Sequence, residues 1–134
     1  MYGDEVKSGS LLPRAVKVLV VDDELSVATV AKRMLEKLGQ HVSLAESGEQ
    51  AVEIFSREKD FDWVLMDITM PGIDGLACLQ LLRGINPEVR VVMTSGYDAT
   101  SALNDTQTEQ PDGFLRKPYT FAALREVAEI AVTD

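Results

Sequence analysis

"VLMDITMPGIDG", residues 64–75, carries an apolar run that stops at one aspartate, Asp67, and then breaks into Pro71, Gly72 and Gly75. Strands of a parallel sheet are buried on both faces and read as near-continuous apolar runs. A charged residue closing such a run sits at the carboxyl edge of the sheet, where open α/β folds place their ligands. A carboxylate at that edge is either neutralised or used.

Working outward, "VKVLVV" (16–21) is a β-branched run cut off by Asp22, Asp23 and Glu24. Val27, Val30, Ala31, Met34, Leu35 and Leu38 then recur at helical spacing before Gly39, which predicts a strand, a loop and a capped helix. "HVSLA" (41–45) is a second strand, and Ser47 to Gln50 has the capping-box spacing for a helix carrying Ala51, Val52 and Phe55. "DWVLMD" (62–67) is the third strand, with Asp74 placed to cap a helix bearing Leu76, Leu79 and Leu82. "VRVVMTSG" (89–96) and "GFLRKP" (113–118) are the fourth and fifth, and Thr120 caps a last helix burying Phe121, Leu124, Val127, Ala128 and Ala131. Five strands alternating with helices predict an α/β fold, a parallel sheet with helices on both faces.

One unit is weak. Residues 98–112 offer only Leu103, with Ala99 and Ala102, as apolar anchors among low-propensity Thr100, Asn104, Thr106 and Thr108. A short or mobile segment with weak amide-exchange protection is expected there.

The composition narrows the function classes. A chain of 134 residues is one domain with room for a core, and 46% hydrophobic against 26% charged residues is the balance of an ordinary globular protein. The net charge of -9 argues against direct nucleic-acid binding, which needs clustered Lys and Arg, and favours cations or basic protein surfaces as partners. No segment has the length and apolarity of a membrane span or signal peptide, so a cytoplasmic location without membrane contact is expected. Residues 1–14 read as a flexible leader or linker and residues 15–134 as the domain. Cys78 is the sole cysteine, on a helix rich in core residues, and reads as packing; His41 is the sole histidine and has no partner in its own motif. Trp63 and Met66 read as strand packing.

In a parallel sheet the carboxyl ends of all strands share one edge, so Asp22, Asp23, Asp67, Ser95 and Lys117 can converge there. Carboxylates about 4 Å apart repel by several kcal/mol at an effective dielectric near 20, so the cluster needs a cation. All-oxygen ligands with few carboxylates suit Mg2+ rather than Ca2+, and no zinc ligand set exists. A metal-screened Asp67 can then accept a phosphoryl group as an acyl phosphate, with Lys117 on the phosphoryl oxygens and Ser95 as a hydroxyl donor. Taken singly, Asp22-Asp23 is an ordinary strand-ending turn and Lys117-Pro118 an ordinary loop; their shared edge favours chemistry.

These motifs, "VLVVDDE" (18–24), "VLMDITMPGIDG" (64–75), "VVMTSGY" (91–97) and "FLRKPY" (114–119), resemble the receiver domain of two-component response regulators over residues 16–132. The resemblance implies a CheY-like, flavodoxin-like sheet of order 2-1-3-4-5. It implies that Asp67 is the phosphoacceptor, that Asp23, Asp67 and the Thr69 main-chain carbonyl bind Mg2+ directly, and that Asp22 does so through water. Ser95 and Lys117 would contact the phosphoryl group, and Pro118 would follow a cis peptide. Phe114 would be the switch aromatic that turns inward with Ser95, changing the surface around the fourth helix, fifth strand and fifth helix. Thr69 and Tyr97 stand where the family tunes hydrolysis of the acyl phosphate, and neither is an acid or amide.

The phosphodonor implied is a histidine kinase or histidine phosphotransfer protein. "TSGY" and "GFLRKPY" are similar to receivers at the carboxyl ends of hybrid histidine kinases, and no output domain follows Asp134, so the sequence reads as an excised or a stand-alone receiver. The sparse 98–112 segment puts family-style dimerisation in doubt, leaving at most a weak homodimer. Phosphohydrolases of the haloacid-dehalogenase kind also use a strand-ending aspartate with Mg2+, but they carry a second acid two residues later, where Thr69 stands here. An interaction module that has lost phosphorylation is the remaining alternative, and the occupied acid, hydroxyl and lysine positions argue against it.

Overall fold

The computed structural model describes residues 15–96 and 110–132; the expectations placed on residues 1–14, on Tyr97 and on most of 98–112 lie outside them. Five strands, β1 (Lys17–Val21), β2 (His41–Ala45), β3 (Trp63–Asp67), β4 (Arg90–Ser95) and β5 (Gly113–Arg116), form one sheet of order β2-β1-β3-β4-β5 with every pairing parallel. The helices among the described residues are α1 (Leu25–Lys37), α2 (Gly48–Arg57), α3 (Gly75–Ile85) and α4 (Phe121–Ala131).

The apolar runs are continuous because each strand feeds two cores. Leu19, Val21, Val64 and Met66 face the side that carries α2 and α3 through Phe55, Leu79 and Leu82. Their neighbours Val18, Val20, Trp63 and Leu65 face α1 and α4 through Leu35, Leu124 and Ala128. Successive strand side chains point to opposite faces, so a strand covered on both sides must be apolar at every position. All five residues of β3 are buried, including Asp67.

Three helices begin as their sequences predict. The side chains of Ser47, Asp74 and Thr120 accept the main-chain N–H of Gln50, Ala77 and Ala123 at 3.0, 2.9 and 3.1 Å, each worth about 1 kcal/mol. Gln50 reaches back as in a capping box, but to the N–H of Glu46 rather than that of the cap residue. α1, also expected to be capped, is not: Glu24 stands at its N-cap and makes no side-chain cap bond, its longer side chain reaching Lys117 instead.

Two expectations need correction. Most strands are shorter than the stretches expected: β5 ends at Arg116 rather than Pro118, which has no amide N–H to give to a ladder, and the Lys117–Pro118 bond is cis. Val30, expected in the core, is 49% exposed, because no neighbouring element of the described structure covers that edge of the α1 stripe. Cys78 is buried as expected, its thiol pushed up to about 12 by burial, with Sγ donating to the Gly48 carbonyl at 3.6 Å; His41 is exposed.

Candidate phosphoacceptor site

The carboxyl edge gathers residues from four strands, β1, β3, β4 and β5. The register pairs Asp67 with Thr94, placing Ser95 one step further along β4, and pairs Ser95 with Arg116, so that Lys117 follows at the same level. The Lys117 amide donates to the Ser95 carbonyl at 2.7 Å, which carries the β4–β5 ladder past the end of β5. The Asp22 amide donates to the Ala45 carbonyl at 3.1 Å and holds the first aspartate at the end of β1.

Lys117 ties the cluster together. Its ammonium lies 2.8 Å from Asp22 Oδ2, 3.1 Å from Asp67 Oδ2 and 3.4 Å from Glu24 Oε1. Asp22 and Asp67 are 5% and 6% exposed, while Glu24 stands at the mouth of the site. The remaining oxygens are engaged by main chain: Asp22 Oδ1 accepts from Glu24 N at 2.9 Å, and Asp67 Oδ1 from Thr69 N at 3.1 Å. Ser95 is buried, and Phe114 is half-buried against the core on the α2/α3 side.

The electrostatics follow from this packing. Burial pushes the Asp67 carboxyl above the usual carboxylate range, against the pull of Lys117 and of the Thr69 amide. Burial alone would lower the Lys117 ammonium, but the hydrogen bonds and charges of Asp22 and Asp67 outweigh it and hold the pKa above the ordinary lysine value. Tyr119, beside the site, is raised by burial and by the Asp22 charge.

The donor set fits a hard divalent cation. Carboxylate oxygens of Asp22, Glu24 and Asp67 lie within 4.8 Å of one another, all of them oxygens, with two of the three residues buried. Asp23 is exposed and its carboxylate is outside that group. Of the residues expected at the edge, the structure brings together Asp22, Asp67 and Lys117 by direct contact and Ser95 by register. Thr69 meets Asp67 through its amide. Sequence reasoning passes over Glu24, although an acid between two strand-ending aspartates and a helix start is a signal. It also passes over Tyr119, which with Glu24, Val27, Val30 and Pro118 lines a cleft of about 630 Å3 opening beside Lys117.

Comparisons with known proteins show the family. Residues 18–129 match the family model of the response regulator receiver domain. The chain is 34% identical over 117 residues to the transcriptional regulatory protein ZraR of Escherichia coli strain K12, a match covering 87% of this chain and 26% of that protein. It is 36% identical over 110 residues to the autoinducer 1 sensor kinase/phosphatase LuxN of Vibrio harveyi, covering 82% and 13% respectively. The chain thus spans about a quarter or less of the length of these relatives. A response regulator receiver domain from Clostridium thermocellum superposes with a TM-score of 0.80 at 29% identity, over 87% of this chain and 94% of that one. With the sheet order and these matches in agreement, the chain belongs to the response regulator receiver domain family of two-component systems.

Proposed function

We propose that this domain takes a phosphoryl group from a phosphohistidine onto Asp67 in a Mg2+-dependent reaction. The observation that carries the proposal is the buried Asp22–Lys117–Asp67 arrangement, a screened carboxylate with an ammonium 3.1 Å from its oxygen. An Asp67 oxygen attacks phosphorus, the P–N bond to the imidazole breaks, and the imidazole leaves with the bond's electron pair. Lys117 follows the phosphoryl oxygens and offsets their charge, and the Ser95 hydroxyl donates to them. Asp22 and Asp67, with carboxylates already clustered at the edge, would hold Mg2+, together with Asp23 and the Thr69 carbonyl as the family resemblance implies; the ion would supply charge neutralisation at the phosphoryl oxygens.

Phosphorylation adds about -1.5 to -2 charge, which is enough to bias an element whose two states differ by a few kcal/mol. Phe114, half-buried against the α2/α3 side of the sheet, would be the switch residue, and the surface around β5 and α4 would carry the output. The donor is a histidine kinase or histidine phosphotransfer protein, and the domain works in the cytoplasm, consistent with no described helix being long and apolar enough to cross a membrane. Likeness to LuxN supports a place within a hybrid histidine kinase; likeness to ZraR keeps a separate response regulator as the second reading.

Beryllofluoride, which mimics a phosphoryl group on a carboxylate, tests the site. Added with Mg2+, it should shift the amide resonances of Thr69, Ser95 and Lys117, and neither component alone should produce the full change. A spectrum unmoved by the pair would contradict the proposal.

Thr69 and Tyr97 carry a further expectation. Neither side chain is an acid or amide that would orient water for hydrolysis, so the phosphoform is expected to persist for minutes or longer in Mg2+ buffer. Loss of the label within seconds would refute it, and Thr69→Asn is the variant expected to shorten the lifetime.

A further inference from the structure

Glu24 is the N-cap of α1, with extended backbone at φ -92° and ψ 99°, yet its side chain caps nothing. A cap needs a short side chain whose oxygen returns to the first-turn N–H groups. Glu24 instead sends its carboxylate to Lys117, with Oε1 3.4 Å from Nζ, while the carboxylate of Asp22 fixes the Glu24 main chain through a 2.9 Å bond. The side chain is 61% exposed, so it meets the ammonium from the solvent side, with its carboxylate within 4.8 Å of those of the buried aspartates.

An ammonium has three N–H donors. In this site Lys117 has three carboxylate partners, Asp22, Asp67 and Glu24, at 2.8, 3.1 and 3.4 Å. A divalent cation or an incoming phosphoryl group needs the same Asp67 oxygen that Lys117 holds. Forced off Asp67, the ammonium would keep only Asp22, a carboxylate of the same buried cluster, and would stand beside a dication that repels it. Glu24 offers it a partner at the rim. An exposed ion pair is weak, which suits a contact that must be given up again when Lys117 returns to the phosphoryl oxygens.

We infer that Glu24 is a positioning residue for Lys117: it holds the ammonium at the mouth of the site while Asp67 is taken by a cation, and releases it to the phosphoryl group. The inference rests on the phosphoacceptor reading of Asp67 and deepens it. Reach as well as charge is required, since the glutamate side chain spans from the start of α1 to the end of β5.

Calorimetric titration with Mg2+ alone tests it, in the wild type, Glu24→Gln, Glu24→Asp, Lys117→Met and the double variant Glu24→Gln/Lys117→Met. Glu24→Gln is expected to weaken Mg2+ binding by about threefold or more when Lys117 is present, and by clearly less in the Lys117→Met background, where there is no ammonium to hold. Glu24→Asp, which keeps the charge and loses the reach, should follow Glu24→Gln. Equal penalties in both backgrounds, or wild-type affinity in Glu24→Asp, would mean that Glu24 acts on the ion through charge alone and would overturn the assignment while leaving the phosphoacceptor reading intact. If the Lys117→Met variants do not fold, the comparison of Glu24→Asp with Glu24→Gln decides. Absence of saturable Mg2+ binding in the wild type would overturn both.

Discussion

Lys117→Ala is expected to slow phosphorylation of Asp67 by about 100-fold or more and, in Mg2+-free buffer at neutral pH, to destabilise the fold by about 3 kcal/mol. The first effect follows from removing a preorganised positive charge at the position where phosphoryl oxygens must sit. The second follows from what is left behind. Asp22 and Asp67, 5% and 6% exposed, would face each other without the ammonium that lies 2.8 and 3.1 Å from them. Truncating one partner of a buried ion pair costs more than the pair itself contributes, because the remaining charge stays desolvated.

The sign of the pH dependence follows from the Asp67 pKa, which burial already raises in the wild type. A carboxyl raised in the folded state adds stability below its unfolded pKa, and that contribution is lost as pH rises through the folded value. Loss of Lys117 raises the folded value further, so the penalty should shrink on acidification and grow toward neutrality. Mg2+ should restore much of the lost stability, since a cation that binds only the folded state stabilises it by mass action. Urea denaturation with and without Mg2+ measures this, and Lys117→Ala with unchanged metal-free stability would show that Lys117 does not carry the charge balance of the site.

Gly75→Val is expected to destabilise the domain by about 3 kcal/mol and to impair phosphorylation, although Gly75 has no side chain to offer the chemistry. It is the first residue of α3, and a Cβ there would lie 2.5 Å from the Asp67 carbonyl oxygen and 2.8 Å from Ile68 Cα. Both are main-chain atoms of the segment that carries Asp67, and neither can swing aside as a side chain would. The Gly75 amide also donates to the Ile68 carbonyl at 2.8 Å, so the strain falls on the contact that seats α3 against the end of β3. Gly84 in the same helix supplies the control: a Cβ added there would meet nothing within 4 Å, and Gly84→Ala should be neutral or stabilising by up to about 1 kcal/mol. Similar losses in the two variants would mean that backbone freedom, not the close approach to Asp67, explains Gly75.

Much of this architecture is legible in the residues themselves. The β1, β3 and β4 runs stand out because they are apolar on both faces, a property of central parallel strands that needs no tertiary information. The convergence of Asp22, Asp67 and Lys117 follows from parallel strands sharing a carboxyl edge, and the contacts at 2.8 and 3.1 Å realise it. What escapes the sequence depends on distance across elements. Helical periodicity places Val30 on the apolar stripe of α1 but does not say how far neighbouring elements extend over that stripe, and Val30 is 49% exposed. Glu24 escapes for a related reason: the N-cap position predicts a local role, whereas its long side chain reaches Lys117, 93 residues away in the chain. The sheet order itself comes from family resemblance, since alternation of strands and helices alone leaves several orders open.

The central claim is that Asp67 accepts a phosphoryl group, and the direct measurement is intact mass after incubation with Mg2+ and acetyl phosphate, with Asp67→Asn alongside. A gain of one phosphoryl mass in the wild type, absent in Asp67→Asn and absent when the metal is chelated, is the predicted result. No gain in the wild type, or a gain that persists in Asp67→Asn, would contradict it.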